Sequence, residues 1–130
     1  MGLATGEFSV TGWNEEPFVE RERGNLTRAS VTQDLSGGIE GTTTIEWLLA
    51  YREDKTADFV GIQEIEGKLD GRSGSFVISS AGTFDGERAT GRWTIVAASG
   101  AGELAGISGD GEFDAPHGGQ ATYRLSYELG

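Results

Sequence analysis

Apolar and polar residues alternate one by one along most of this chain, and this spacing is the strongest constraint on its fold. Residues 120–129 are the clearest case, with apolar side chains at every second position: Ala121, Tyr123, Leu125, Tyr127 and Leu129. Successive side chains of a β-strand point to opposite faces, so the spacing predicts a strand with one buried face. The only room for a helix is one turn near residues 102–105.

The same alternation predicts seven further strands, at residues 5–13, 25–36, 39–51, 57–69, 72–84, 87–97 and 108–114. Short turns separate most of them, and Asp-Gly pairs at residues 70–71 and 85–86 are typical of tight hairpins. Residues 14–24 are predicted to be irregular. Consecutive antiparallel hairpins of about eight strands favour a sheet that closes into a barrel, because closure leaves no exposed strand edge. We therefore predict one all-β domain over residues 1–130, an eight-stranded antiparallel up-and-down β-barrel with at most one helical turn.

A glycine-dense stretch lies between two of the predicted strands, at residues 98–113. Its segment GAGELA, at residues 100–105, has the spacing of a dinucleotide-binding loop. That site needs a following helix whose N-terminus faces the pyrophosphate, and here the next segment is a strand. The stretch therefore predicts a tight crossover at one mouth of the barrel, and we expect no cofactor.

The composition excludes several classes of partner and site. A net charge of −11 with only 10 basic residues argues against nucleic acid and anionic membranes, which need clustered Lys and Arg. The absence of cysteine excludes disulfides and thiol catalysis. No apolar run approaches the roughly 18 residues of a membrane span, and no signal peptide is recognisable, so we expect a cytoplasmic protein.

Few residues have the pattern of a metal site or a catalytic triad. His117 is the single histidine and lies in a predicted turn. Asp110, Glu112 and Asp114 share one face of a predicted strand, where a solvated outer surface is the expected role. We therefore predict no metal site.

Glu64 is the carboxylate that could serve as an acid or base inside the barrel. It lies in an apolar strand together with Glu66, and two registers are open. If Val60 and Ile62 point inward, Glu64 follows them, and burial would raise the pKa of its carboxyl group. In the other register Phe59, Gly61, Gln63 and Ile65 point inward and both acids lie in solvent.

Aromatic residues on the inward faces have two possible roles. They fill the interior as an ordinary core, or they line a partly hollow barrel that holds an apolar ligand. In the second case the ligand-binding residues are Trp47, Phe76, Trp93 and Tyr127. Ser80 and Tyr123 would then be polar groups that orient the ligand.

Two glycine motifs give the chain a resemblance to a known family. They are GKLDGRSGSFV at residues 67–77, followed by GTF at residues 82–84, and SGAGELAGISG at residues 99–109. The chain resembles a bacterial domain family of unknown function over nearly its whole length. That family is similar in fold to the allene oxide cyclase and dirigent barrels, which are calycin-like.

The resemblance implies a barrel whose mouth admits a small molecule. The wider superfamily includes cofactor-independent cyclases and dirigent proteins, and its members often form dimers or trimers, so a homo-oligomer is expected. Its catalytic residues do not transfer, because the shared motifs are glycine turns. In the family a histidine often stands where this chain has Ser80. If that histidine takes part in chemistry, this member either lacks that chemistry or performs it differently.

Three functions follow from the sequence. The first is a cofactor-free isomerase or cyclase of a hydrophobic small molecule, with Glu64 as acid or base and Ser80 or Tyr123 orienting the substrate. The second is a non-catalytic binding module that uses the same aromatic lining. The third is a packed structural barrel that acts as an oligomer through its outer surface.

Overall fold

The computed structural model describes residues 2–130, which form strands and turns and, within that range, no helix. The alternation of the sequence is reproduced in burial, with every second side chain of most strands facing the core. The nine strands are β1 (Gly2–Val19), β2 (Leu26–Gly37), β3 (Ile39–Tyr51), β4 (Ala57–Leu69), β5 (Arg72–Phe84), β6 (Arg88–Ile95), β7 (Ala101–Gly102), β8 (Ile107–Pro116) and β9 (Ala121–Leu129).

Eight of the strands close into an antiparallel barrel in which chain neighbours are also neighbours in space. The order runs β1-β2-β3-β4-β5-β6-β8-β9, and β9 pairs with β1 to close it. The two-residue strand β7 pairs with Gly74 and Ser75 of β5, outside the barrel. The prediction of an all-β, eight-stranded antiparallel barrel is confirmed. The segment near residues 102–105, where one helical turn was possible, is a non-helical hydrogen-bonded turn, in agreement with the prediction of at most one helical turn.

The first strand differs from its prediction, because it continues through Val19 where residues 14–24 were expected to be irregular. A bulge at Thr11 shifts its alternation by one residue, so that Trp13 and Glu15 pair with inward positions of β2. Beyond Phe8, β1 pairs with β2 alone, because β9 reaches only that far. Pro17 is tolerated there because an edge strand does not need every N–H group for pairing.

The two ends of the barrel differ in how they are filled. At one end, which we call the closed end, lie Gly38, the β4–β5 turn and the crossover from β6 to β8 at residues 96–106. Leu104 of this crossover is buried together with Ile39 and Leu69. The other end, which we call the open end, carries the β3–β4, β5–β6 and β8–β9 turns.

Candidate functional site

A cavity of about 270 Å³ lies at the open end of the barrel. Its floor consists of four aromatic rings that contact one another, with centroids 4.9 Å apart for Trp47 and Phe59, 6.1 Å for Phe59 and Phe113, and 6.0 Å for Phe113 and Phe8. Its walls and rim are formed by Val10, Trp13, Gln33, Leu49, Tyr51, Ala57, Phe84, Ala89 and Ala115. The cavity is therefore almost wholly apolar and is open to solvent.

Glycines inside the strands make room for the rings of the floor. Phe113 pairs across strands with Gly91, and a Cβ at residue 91 would lie 2.3 Å from Cε2 of the ring. Phe59 pairs with Gly82, where a Cβ would lie 2.8 Å from Cζ. These distances are too short for any side chain, so each ring occupies the space that glycine leaves free. This role of strand glycines has no local signal in the sequence, where the glycines at turns and in the crossover are the recognisable ones.

One carboxylate at the open end accepts the polar hydrogens of its neighbours. Glu15 accepts hydrogen bonds from Nε1 of Trp13 at 3.0 Å, from Oγ1 of Thr27 at 2.6 Å and from the hydroxyl of Tyr51 at 2.8 Å. Burial, followed by the hydrogen bond to Glu15, raises the pKa of Tyr51 to about 12. The phenol therefore stays protonated at neutral pH, and its hydrogen is directed to Glu15.

Gln33 forms no hydrogen bond with any of residues 2–130, and Nε1 of Trp47 is the other polar group of the lining without one. It is 8% exposed and lines the cavity. Its cross-strand neighbour Thr43 is already engaged, because Oγ1 of Thr43 accepts from Nε2 of Gln63 at 3.0 Å and donates to the carbonyl of Glu64 at 2.8 Å. The carboxamide of Gln33 is thus left facing an apolar space.

Of the four aromatic residues predicted to bind a ligand, the structure places only Trp47 in this cavity. Phe76, Trp93 and Tyr127 point inward as predicted, but they are buried in the closed half of the barrel. Trp93 stacks on Tyr123 with centroids 5.7 Å apart. The inward aromatic side chains therefore pack as a core in one half of the barrel and border a cavity in the other.

The hydroxyl of Tyr123 is used inside the protein. It accepts a hydrogen bond from the backbone N–H of Ile39 at 2.8 Å and donates to the carbonyl of Ser36 at 2.6 Å. Burial is the main cause of a raised pKa for this phenol. Tyr123 thereby ties β9 to the β2–β3 turn, and its hydroxyl does not face the cavity.

Ser80 is also buried, at 6% exposure, and is the cross-strand partner of Trp93. Neither Oγ of Ser80 nor Nε1 of Trp93 has a hydrogen-bond partner within the described chain. Ser80 does not line the cavity at the open end. The structure therefore brings Ser80, Trp93 and Tyr123 into the closed half, away from Trp47.

The register that would turn Glu64 into the barrel is wrong. Phe59, Gln63 and Ile65 face inward, and Glu64 lies exposed on the outer face with Glu66. Gln63 can take the inward position because Thr43 of the neighbouring strand satisfies its amide group. Glu64 is consequently unavailable for acid–base chemistry in the lumen.

The remaining titratable residues singled out in the sequence lie on the outside. His117 is exposed in the β8–β9 turn, and Asp110 and Glu112 are exposed on β8. Asp114 forms an ion pair with Arg88 at 3.0 Å. Within residues 2–130, no group of three or more His, Cys, Asp or Glu side chains is placed to hold a metal ion. No helix in the same range is long and apolar enough to cross a membrane.

Three large apolar side chains are exposed on the outer faces of β3 and β4. Leu48 and Val60 are cross-strand partners, and Ile62 lies two residues further along β4. Each is about half exposed, so the apolar outer face of β4 is not covered within this chain. The homo-oligomer expected from the sequence stays a prediction.

Comparison with known proteins gives a family and a fold. The sequence model of a family described as "Protein of unknown function (DUF3224)" matches residues 4–127. A crystal structure at 1.84 Å of a DUF3224 protein with unknown function, from Shewanella oneidensis MR-1, is similar at a TM-score of 0.85 and 31% identity. The match covers 100% of this chain and 98% of that one. No curated protein matches the chain.

Proposed function

The chain belongs to the DUF3224 family of proteins of unknown function, and from this premise we propose that it binds a small apolar molecule in the cavity at the open end. The observation that carries the proposal is the cavity itself. Its volume of about 270 Å³ is bounded by aromatic and aliphatic side chains and opens to solvent. Apolar clefts with a few polar groups are the usual form of small-molecule sites.

The apolar surface of the cavity favours binding of an apolar molecule. Water in contact with Trp47, Phe59 and Phe113 is displaced when an apolar molecule enters, and this displacement is favourable. Trp13 and Val10 stand on the rim and are about half exposed, so a ligand would also cover part of their surface. The volume lies just below the range of roughly 300–1,000 Å³ typical of drug-sized ligands, which favours a compact molecule such as a bicyclic hydrocarbon.

Binding is favoured over catalysis by the chemistry of the lining. The only titratable group among the lining residues is Tyr51, and with a pKa of about 12 it is a poor base or acid at neutral pH. Ser80 and Tyr123 lie in the closed half, and Glu64 lies outside. A cofactor-free isomerase or cyclase, as the likeness to allene oxide cyclases implies, would therefore act only by holding a reactive conformer.

Titration with naphthalene, followed by calorimetry and by tryptophan fluorescence, tests the proposal. We expect saturable binding with one site per chain. Ala115→Phe should abolish this binding, because residue 115 lines the cavity and the added ring would occupy it. Ala81→Phe is the matched control, since Ala81 is exposed on β5 away from the cavity, and it should bind like the wild type. A lack of saturable binding, or equal loss in both variants, would refute the proposal.

A further inference from the structure

We propose that the ligand is an uncharged molecule with an apolar body and one carbonyl group, and that Gln33 donates a hydrogen bond to this carbonyl. This inference rests on the proposed binding function and adds the chemical class of the ligand. It depends on the carboxamide in the cavity wall, on the engagement of the neighbouring polar groups and on the absence of charge among the lining residues.

Gln33 is more than nine-tenths buried, lines the cavity, and has no partner among residues 2–130. The fully buried polar atoms without a partner are Oγ of Ser80, Nε1 of Trp93 and Oδ1 of Asp114, so the carboxamide of Gln33 still reaches the open cavity. A ligand that covers this carboxamide has to replace its contact with water, because a buried amide without a hydrogen bond costs free energy. The carboxamide is therefore suited to a polar group that the cavity receives from outside.

Most neighbouring polar groups are engaged elsewhere. Of the other lining residues with polar hydrogens, Trp13 and Tyr51 donate to Glu15, and only Nε1 of Trp47 has no hydrogen-bond partner among the described residues. Thr43, which pairs with Gln33 across the strands, is engaged by Gln63 and by the carbonyl of Glu64. A ligand carbonyl thus meets two free donors, the NH₂ group of Gln33 in the wall and Nε1–H of Trp47 in the floor, and Gln33→Leu separates them.

The charge of the site excludes an acidic ligand. No lining residue is Lys, Arg or His, so a buried carboxylate would have no counter-charge and would lose its hydration. The carboxylate of Glu15, which accepts hydrogen bonds from two lining residues, adds negative charge near the rim. The whole chain carries a net charge of −11, which also repels anions. A fatty acid or another carboxylate is therefore a poor fit.

Three probes of similar shape separate these claims: naphthalene, 2-acetylnaphthalene and 2-naphthoate. For the wild type we expect the ketone to bind about five- to tenfold more tightly than naphthalene, as one hydrogen bond between neutral groups provides. The carboxylate should bind more weakly than both at neutral pH. The infrared carbonyl band of bound 2-acetylnaphthalene should lie at a lower frequency than in a hydrocarbon solvent.

Gln33→Leu assigns the effect to one side chain. We expect this variant to bind naphthalene at least as tightly as the wild type, to lose the preference for the ketone, and to return the carbonyl band to its hydrocarbon position. Ser80→Ala is the matched control, because Ser80 is also a buried polar residue but lies in the closed half, does not line the cavity and has no hydrogen bond to Gln33 or Thr43. It should keep the ratio of the two affinities even if the protein is less stable.

The outcomes distinguish this inference from the function on which it rests. If neither naphthalene nor the ketone binds the wild type, the binding function itself fails. If both bind with equal affinity and the carbonyl band does not shift in the wild type, the site exists and the role of Gln33 is wrong. Tighter binding of 2-naphthoate than of the ketone would overturn the exclusion of acids. A lowered carbonyl band that persists without Gln33 would assign the hydrogen bond to Nε1 of Trp47 and overturn the role of Gln33. If Gln33→Leu does not fold, Gln33→Met, which keeps the length of the side chain, gives the same test.

Discussion

Trp47 lies so close to Gly61, its cross-strand partner, that a Cβ at residue 61 would stand 2.3 Å from Cε3 of the indole. The same relationship holds at the closed end, where Tyr123 lies over Gly6. In each case an aromatic ring lies across the neighbouring strand at the one residue type that leaves room for it. The positions of aromatic rings and of strand glycines are therefore coupled, and the coupling shapes both the core and the cavity floor.

Gly61→Ala should destabilise the protein by about 1–3 kcal/mol, because the added methyl group overpacks the contact with Trp47. The indole can only move toward the cavity, so binding of naphthalene should weaken as well. Urea denaturation measures the first effect, and calorimetric titration measures the second. The carbonyl of Glu46 also lies close, at 2.8 Å from the added Cβ, and contributes to the cost.

A double-mutant cycle separates the ring from the backbone. In a Trp47→Leu background the smaller side chain frees space, so Gly61→Ala should cost less there than in the wild type. An identical cost in both backgrounds would mean that the backbone contact, and not the ring, explains the glycine.

Tyr123→Phe should lower the free energy of unfolding by about 1–3 kcal/mol, because it leaves the buried N–H of Ile39 without its acceptor. Tyr127→Phe is the comparison, since it removes a hydroxyl that donates to Asp70. Asp70 is exposed, and water can replace the lost donor. Urea denaturation measures both variants. Equal decreases in the free energy of unfolding would show that the hydrogen bonds of Tyr123 do not stabilise the closed end more than that of Tyr127.

Leu104→Ala should cost about 2–5 kcal/mol, the usual range for truncating a fully buried leucine. Leu104 is 1% exposed and is the main apolar contribution of the crossover to the core. The same substitution at Leu3, which is 49% exposed, should change the stability by less than about 0.5 kcal/mol. A small effect at Leu104 would show that the crossover only covers the barrel and does not help to hold it together.

Stability should decline in alkaline solution because all three tyrosines have raised pKa values in the folded protein. A phenol that holds its proton more tightly when folded stabilises the protein fully below the unfolded pKa of about 10, and this contribution is lost as pH rises above it. For Tyr51 the loss extends to about pH 12. Urea denaturation between about pH 9 and pH 11 should show the decline, and Tyr51→Phe should make it less steep. A free energy of unfolding that does not change with pH over this interval would contradict the raised pKa values of the tyrosines.

The strands and most of their faces could be predicted because alternation is a local property. Residues 72–84 and 39–51 coincide with β5 and β3, and Phe76 and Trp47 point inward as expected. Alternation could not predict which face of β4 points into the barrel, since both of its faces carry apolar residues. The choice depends on Thr43 of β3, which satisfies Gln63, and a partner on another strand is invisible in a local pattern.

The candidate site was less predictable than the fold. Alternation predicts that Trp47 points inward, and it does. The cavity itself depends on how aromatic rings from four strands meet and on the glycines that pair with them. Gln33 could have been noticed as a polar residue on an inward face of residues 25–36, yet its lack of a partner is a property of the packed structure. The continuation of β1 was missed because the bulge at Thr11 breaks the alternation there.

The filled closed end, fastened by Tyr123, has a kinetic consequence. A molecule in the cavity has a single route, so it is released through the same opening by which it entered. A substitution in the turns around that opening that only narrows the passage slows entry and release by the same factor. Such a variant would bind and dissociate more slowly while its dissociation constant stayed unchanged, whereas changes in the cavity wall would appear mainly in the rate of release.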